Sequence, residues 1–194
     1  INKNLTEPEI LRAADWLVGS GVQAMKLYFM IGLPTETHED VAAIVELTKK
    51  IRARFQRDGR VQRLTLSINP FGPKPWTPLQ WEPMEDLKSL KAKIGYLRGE
   101  IGRLPNVTCD VESPREAYWA TLLSRGDRRV AGLLLAIHAA GGDWWRVIRE
   151  RRREAGDGQV HPDFYVRRPY AYDEILPWDF IDHTLHKRFL WVER

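Results

Sequence analysis

The first part of the chain alternates between helix-like and strand-like spacing of apolar residues. Residues 6–19 begin with the capping-box sequence Thr-Glu-Pro-Glu, and apolar residues then recur at helical intervals until a Gly-Ser-Gly segment. Val22–Ile31 follows as a run of strand-forming residues that is largely apolar on both faces, which is typical of a buried parallel strand.

A second helix pattern and a second strand pattern come next. Glu39–Arg57 carries one apolar stripe at helical spacing, and Val61–Ile68 alternates apolar and polar residues. Helix, strand, helix, strand is the order of a parallel sheet with crossover helices. We therefore predict that Val22–Ile31 and Val61–Ile68 are adjacent parallel strands.

The segment Asn69–Met84 has a different composition, with five prolines and two tryptophans. Proline removes a hydrogen-bond donor and fixes φ, so this segment is predicted to be neither a helix nor a central strand but a long structured loop. Beyond it the pattern predicts a helix over Glu85–Arg103, a short strand over Val107–Val111, and a run of helices from Ser113. Breaks are expected at Gly126-Asp127 and Gly141-Gly142.

Composition narrows the class of protein. The longest apolar stretches, such as Val130–Ala140, are far shorter than the ~20 residues of a membrane span. The chain opens with Ile1-Asn2-Lys3-Asn4, without an initiator methionine or a signal peptide, so it is interpreted as a piece of a longer polypeptide.

The single cysteine, Cys109, excludes an internal disulfide and favours a reducing compartment, and we predict a cytoplasmic protein. Thirty basic against 26 acidic residues permit a nucleic-acid partner without indicating one.

The turn after the first strand carries the most informative motif, Gly32-Leu33-Pro34-Thr35-Glu36-Thr37. Ligands of parallel α/β sheets bind beyond the carboxyl ends of strands, where a Gly-x-Pro turn leaves backbone groups accessible. The alternative is an ordinary turn followed by a capped helix.

Three stretches together resemble the radical S-adenosylmethionine superfamily, in the subgroup related to cobalamin-binding radical enzymes. They are the turn motif at 32–37, the segment 67–81 with its Asn-Pro-Phe-Gly-Pro-Lys-Pro-Trp sequence, and the tail 176–183 with Phe189-Leu190-Trp191. The resemblance implies an α/β fold in which residues 1–112 form the C-terminal part of a partial TIM-type (β/α)6 barrel. Residues 113–194 would be a mainly helical extension. The cluster-binding Cys-x-x-x-Cys-x-x-Cys loop would lie upstream, in the missing N-terminal half of the barrel.

The same resemblance implies a set of cofactor-binding residues. It places Met30, Ile31, Gly32 and Leu33 along the adenine, with Asn69, Pro70 and Phe71 flanking it. Glu36 would hold the turn or contact polar parts of the cofactor. Lys3 would reach the cofactor carboxylate, with an exposed terminal lysine as the alternative. Some relatives carry glycine where this chain has Tyr28. The full-length parent would cleave S-adenosylmethionine at a 4Fe–4S cluster to form a 5′-deoxyadenosyl radical on an unknown substrate, with cobalamin left open. The chain alone is predicted to be inactive and to bind no metal.

Other residues carry weaker alternatives. Trp76 and Trp81 with Lys74 could stack a base or pack over the barrel. Ligand-type residues at 161–163 and Asp179, Asp182, His183 and His186 could bind a metal, the last four from one helical face, although surface pairs or caps are the simpler interpretation. The arginine run at 146–153, beside Trp144 and Trp145, is interpreted as a solvated helix end, with binding of an anionic substrate or RNA as the alternative. The rival function is an interaction or nucleic-acid-binding module.

Overall fold

The computed structural model describes residues 5–57, 63–153 and 161–194. The chain divides into two compact units. The first comprises the described residues of Ile1–Ile31, Thr35–Pro70 and Lys88–Glu112, and the second comprises those of Gly32–Pro34, Phe71–Leu87 and Ser113–Arg194. Lys3, Val61 and Gln62 lie outside the described residues.

The first unit contains three helices and three strands. They are α1 (Glu7–Gly19), β1 (Ala24–Ile31), α2 (His38–Arg57), β2 (Arg63–Pro70), α3 (Leu87–Ile101) and β3 (Val107–Val111), with Leu87 itself assigned to the second unit. The capping box before α1 is formed, because Thr6 donates from its backbone nitrogen and its hydroxyl to Glu9 Oε2 at 2.9 and 2.7 Å.

The strands form a parallel sheet in the order β1-β2-β3. The predicted parallel pairing of the first two strands is confirmed, with Met30 opposite Asn69 and Ile31 opposite Pro70. The prediction for Asn69–Met84 is wrong at its first two residues, since Asn69 and Pro70 end the central strand and the loop begins at Phe71. Pro70 is tolerated there because a strand's last position needs few ladder hydrogen bonds.

The predicted barrel is wrong. Closure requires every strand to pair on both sides. Within the described residues only three strands form the sheet, and β1 and β3 each pair with β2 alone. The observed fold is a mixed α/β arrangement with a small parallel sheet and several helices.

The two faces of this sheet differ in exposure. On one face Ile31, Leu64, Leu66 and Ile68 are fully buried, and α2 and α3 contribute further buried residues to the core of the unit. The other face is accessible, and Tyr28 on β1 is 71% exposed. The expectation that the first strand is buried on both faces is therefore wrong.

The second unit is mainly helical. Its helices are α4 (Pro114–Arg125), α5 (Val130–Ala139), α6 (Trp144–Arg153), α7 (Asp163–Val166) and α8 (Lys187–Val192). Both predicted breaks are confirmed: α4 ends before Gly126, and Gly141 and Gly142 adopt positive φ between α5 and α6. Trp81, Tyr170, Leu176, Trp178 and Leu190 form a buried cluster. Among the described residues, no helix is both long and apolar enough to span a membrane.

Candidate functional site

The carboxyl ends of β1 and β2 place four of the predicted residues in two side-by-side pairs. Met30 lies opposite Asn69, and Ile31 lies opposite Pro70. Successive side chains of a strand point to opposite faces. Met30 is 39% exposed and Asn69 is half-buried, whereas Ile31 and Pro70 are buried on the covered face. Only Met30 and Asn69 can therefore offer side chains to a ligand on the accessible face, and Ile31 and Pro70 could offer main-chain atoms alone.

The turn after β1 uses left-handed backbone conformations. Gly32 has φ +78°, which glycine adopts without steric cost, and Thr35 has φ +65°. The turn passes into α2 through a second capping arrangement. Thr37 N donates to Asp40 Oδ2 at 2.8 Å, and Asp40 N donates to Thr37 Oγ1 at 3.2 Å. The backbone nitrogen of Thr37, and then its hydroxyl, donate hydrogen bonds to the Asp40 carboxylate and hold its pKa below the usual value.

Glu36 is joined to α3 by an ion pair. Lys93 Nζ donates to Glu36 Oε1 at 2.7 Å, and the two side chains are only 14% and 7% exposed. A buried carboxylate paired in this way holds the backbone around it in place. Of the two roles predicted for Glu36, this contact favours holding the turn.

The accessible face of the sheet is polar along its length. Lys26 Nζ lies 3.4 Å from Asp110 Oδ2, which joins the two outer strands across β2. The hydroxyls of Thr65 and Thr108 are 3.0 Å apart on the same face. Tyr28 completes the face, with Lys26 Nζ 5.4 Å from its ring centre. Parallel sheets are normally covered on both sides, so an accessible polar face is the unusual feature of this unit. The apolar–polar alternation of the second strand, which includes Thr65, signalled this face, whereas the first strand was expected to be buried on both faces despite the polar Lys26.

The remaining predicted residues lie in the second unit or outside the described residues. Gly32, Leu33 and Phe71 fall within the second unit, where Gly32 and Phe71 are buried and Leu33 is half-buried. Lys3 lies outside the described residues, so its predicted contact stays a prediction.

A metal cluster does not fit the residues that the structure describes. Cys109 is half-buried in β3, and burial raises the pKa of its thiol, which disfavours the thiolate that binds iron. Within residues 5–57, 63–153 and 161–194 no three His, Cys, Asp or Glu side chains converge as a metal site would require. The alternative in which Asp179, Asp182, His183 and His186 share one helical face does not hold, because this segment precedes α8 and is not helical.

Two of those carboxylates stabilise the tail instead. Asp179 Oδ2 accepts from Leu176 N at 2.9 Å and from Lys187 Nζ at 3.0 Å. Asp182 Oδ1 accepts from Thr184 N at 2.7 Å.

Ionic contacts also occupy part of the arginine run in α6. Arg152 pairs with Asp163 at 3.0 Å, and Arg146 lies 3.5 Å from both Asp143 and Glu150. His161 Nδ1 accepts from Asp163 N at 3.1 Å. The ion pairs of Arg146 and Arg152 therefore neutralise part of the positive charge of this arginine run.

Comparison with known proteins adds one relative. The chain is 34% identical over 134 residues to an uncharacterized protein of Methanocaldococcus jannaschii, and the match covers 69% of this chain and 28% of that protein. The chain thus spans little more than a quarter of the length of that relative. No family model and no solved structure matches.

Proposed function

We propose that this chain supplies the adenine-binding edge of a radical S-adenosylmethionine enzyme. The observation that carries the proposal is the accessible pair Met30 and Asn69, which lie side by side near the carboxyl ends of two parallel strands. Parallel strands lie ~4.8 Å apart, so two adjacent strand ends can contact one flat ring. The motif resemblance at the same residues supports adenine as that ring.

Each residue has a distinct part in this proposal. The Met30 side chain supplies a polarisable apolar contact to the ring, and the Asn69 carboxamide supplies a donor and an acceptor for ring nitrogens. The Glu36–Lys93 ion pair holds in position the residues that lead from the turn into α2. The described residues do not fit an iron–sulfur cluster, so no step of radical chemistry is assigned to them.

The test is cofactor binding to the full-length polypeptide that contains this chain. Gly32→Val adds a branched side chain at a positive-φ position, and we expect S-adenosylmethionine affinity to fall about tenfold or more, equivalent to ~1.4 kcal/mol. Gly142→Val is the matched control, since Gly142 also has positive φ and open space around it. Equilibrium dialysis with labelled cofactor, at matched folding by circular dichroism, measures the difference. Undiminished affinity in a folded Gly32→Val protein would remove this turn from the site.

A second pair of variants keeps the test decisive if the Gly32→Val protein fails to fold. Asn69→Ala removes the predicted ring contact, whereas Ser67→Ala changes the same face of β2 one side-chain position earlier. We expect only the first to weaken cofactor binding. Equal affinities for the two variants would contradict the assignment of Asn69.

A further inference from the structure

A groove in the second unit has the size and lining of a small-molecule site. It lies between the α4–α5 connection and the tail before α8, and this open groove has a volume of about 540 Å³. Its apolar wall includes Trp76, Trp178 and Phe180, and its polar wall includes Asp127, Arg128 and His183. Sites for small molecules typically have this volume and this mixture of aromatic and few polar groups.

Two non-glycine residues with positive φ lie beside this groove. Trp76 has φ +55°, a conformation that bulky residues rarely adopt, and Thr184, next to His183, has φ +60°. The rings of Trp76 and His183 lie 5.3 Å apart. Trp76 Nε1 is also buried without an acceptor among the described residues. Strained backbone tends to cluster at functional sites, and a buried donor without an acceptor is uncommon in folded proteins.

The two tryptophans of the groove share one support. Gln80, which is 1% exposed, accepts from Trp76 N at 2.9 Å and from Trp178 Nε1 at 2.7 Å through the same oxygen. This arrangement keeps the Trp76 backbone in its strained conformation and fixes the Trp178 indole. The Trp178 indole and the Trp76 backbone are therefore preorganised, which reduces the entropic cost of ordering this part of the wall around a flat ligand.

The charges of the groove favour an anion. Arg129 Nε donates to both carboxylate oxygens of Asp127 at 3.0 and 2.9 Å, and Tyr165 donates its hydroxyl to Asp127 Oδ1 at 2.7 Å. Asp127 is thus neutralised by its neighbours. Arg128 is exposed and forms no ion pair within the described part of the chain, so it leaves one unbalanced positive charge at the rim.

We propose that this groove binds a mononucleotide, with the base against Trp76 and Phe180 and the phosphate at Arg128. A guanidinium binds phosphate with two parallel hydrogen bonds, and aromatic side chains stack on any base. The volume exceeds the needs of a lone phosphate and suits a base, a ribose and a phosphate together. This proposal does not depend on the cofactor site in the first unit.

The test measures binding to the chain by isothermal titration calorimetry with adenosine 5′-monophosphate, adenosine, inorganic phosphate and indole-3-acetate as separate probes. We expect the nucleotide to bind about tenfold or more tightly than each of the other three. Equal binding of indole-3-acetate would mean that the site takes aromatic acids and would overturn the nucleotide assignment. Absence of nucleotide binding up to about 10 mM would overturn the site itself.

Variants locate the binding in this groove. Arg128→Gln should weaken nucleotide binding about tenfold, whereas Arg149→Gln, an exposed arginine of α6, should leave it unchanged. Phe180 is 85% exposed, so Phe180→Ser should weaken binding without unfolding the chain, and Phe189→Ser is its control. Asn69→Ala should leave nucleotide binding unchanged, which separates this site from the cofactor site. If the Arg128 and Arg149 variants bind alike, or if Asn69→Ala abolishes binding, the groove is not the site.

Discussion

The side chain of Gln80 offers a quantitative test of how the second unit is stabilised. Gln80→Met keeps the length and approximate volume of the side chain but removes the oxygen that accepts from Trp76 N and Trp178 Nε1. Because Gln80 is 1% exposed, water cannot replace that oxygen without opening the buried cluster. The substitution therefore leaves two donors without their acceptor.

The expected cost follows from the surroundings of each donor. The Trp178 indole nitrogen donates in a buried bond, and an unsatisfied buried donor costs about 1–3 kcal/mol. The Trp76 bond is partly buried, so partial hydration limits its loss to about 0.5–1.5 kcal/mol. We expect Gln80→Met to lower the free energy of unfolding of this unit by ~2–4 kcal/mol.

Urea denaturation followed by near-ultraviolet circular dichroism measures this change through the tryptophan signal. Gln23→Met, at an exposed position, should change stability by less than about 0.5 kcal/mol. The decisive comparison is a double-mutant cycle with Trp178→Phe, which removes the indole donor. In that background Gln80→Met should cost about 1–3 kcal/mol less. The same cost in both backgrounds would refute the hydrogen-bonding argument.

Two further predictions concern acid stability and metal content. Hydrogen bonds from Arg129, and then from Tyr165, lower the pKa of Asp127 to about 2. A lowered folded-state pKa stabilises the fold above the unfolded value of ~4, and this stabilisation disappears as the pH falls towards 2. Wild type should therefore lose more stability than Asp127→Asn between these pH values in acid denaturation; equal losses would contradict the assignment. Anaerobic iron–sulfur reconstitution of this chain should produce no cluster absorption, because Cys109 is its single thiol; a stoichiometric four-iron centre would show otherwise.

Local sequence determined the order and most boundaries of the elements. β3 occupies the predicted residues Val107–Val111, and α1 begins at the predicted capping box. Ser113 Oγ accepts from Arg115 N at the start of α4, where the sequence placed a helix start. These features depend on interactions within a few residues, such as caps, glycine breaks and apolar spacing. One amino-acid sequence is therefore sufficient to predict these features.

Tertiary structure alone decided which surfaces are left accessible. How many strands pair, and whether the sheet closes, depends on long-range contacts that apolar spacing in Val22–Ile31 does not encode. Tyr28 and Met30 are accessible because no element of the described chain covers that face, although their apolar character predicted burial.

Local sequence patterns likewise could not predict the groove beside Trp76. Gln80 is distant from Trp178 in sequence, so the oxygen shared by the two tryptophans exists only after the tail has packed against the loop. The left-handed backbone of Trp76 runs against its intrinsic preference, and only contacts formed in the folded unit can hold it there.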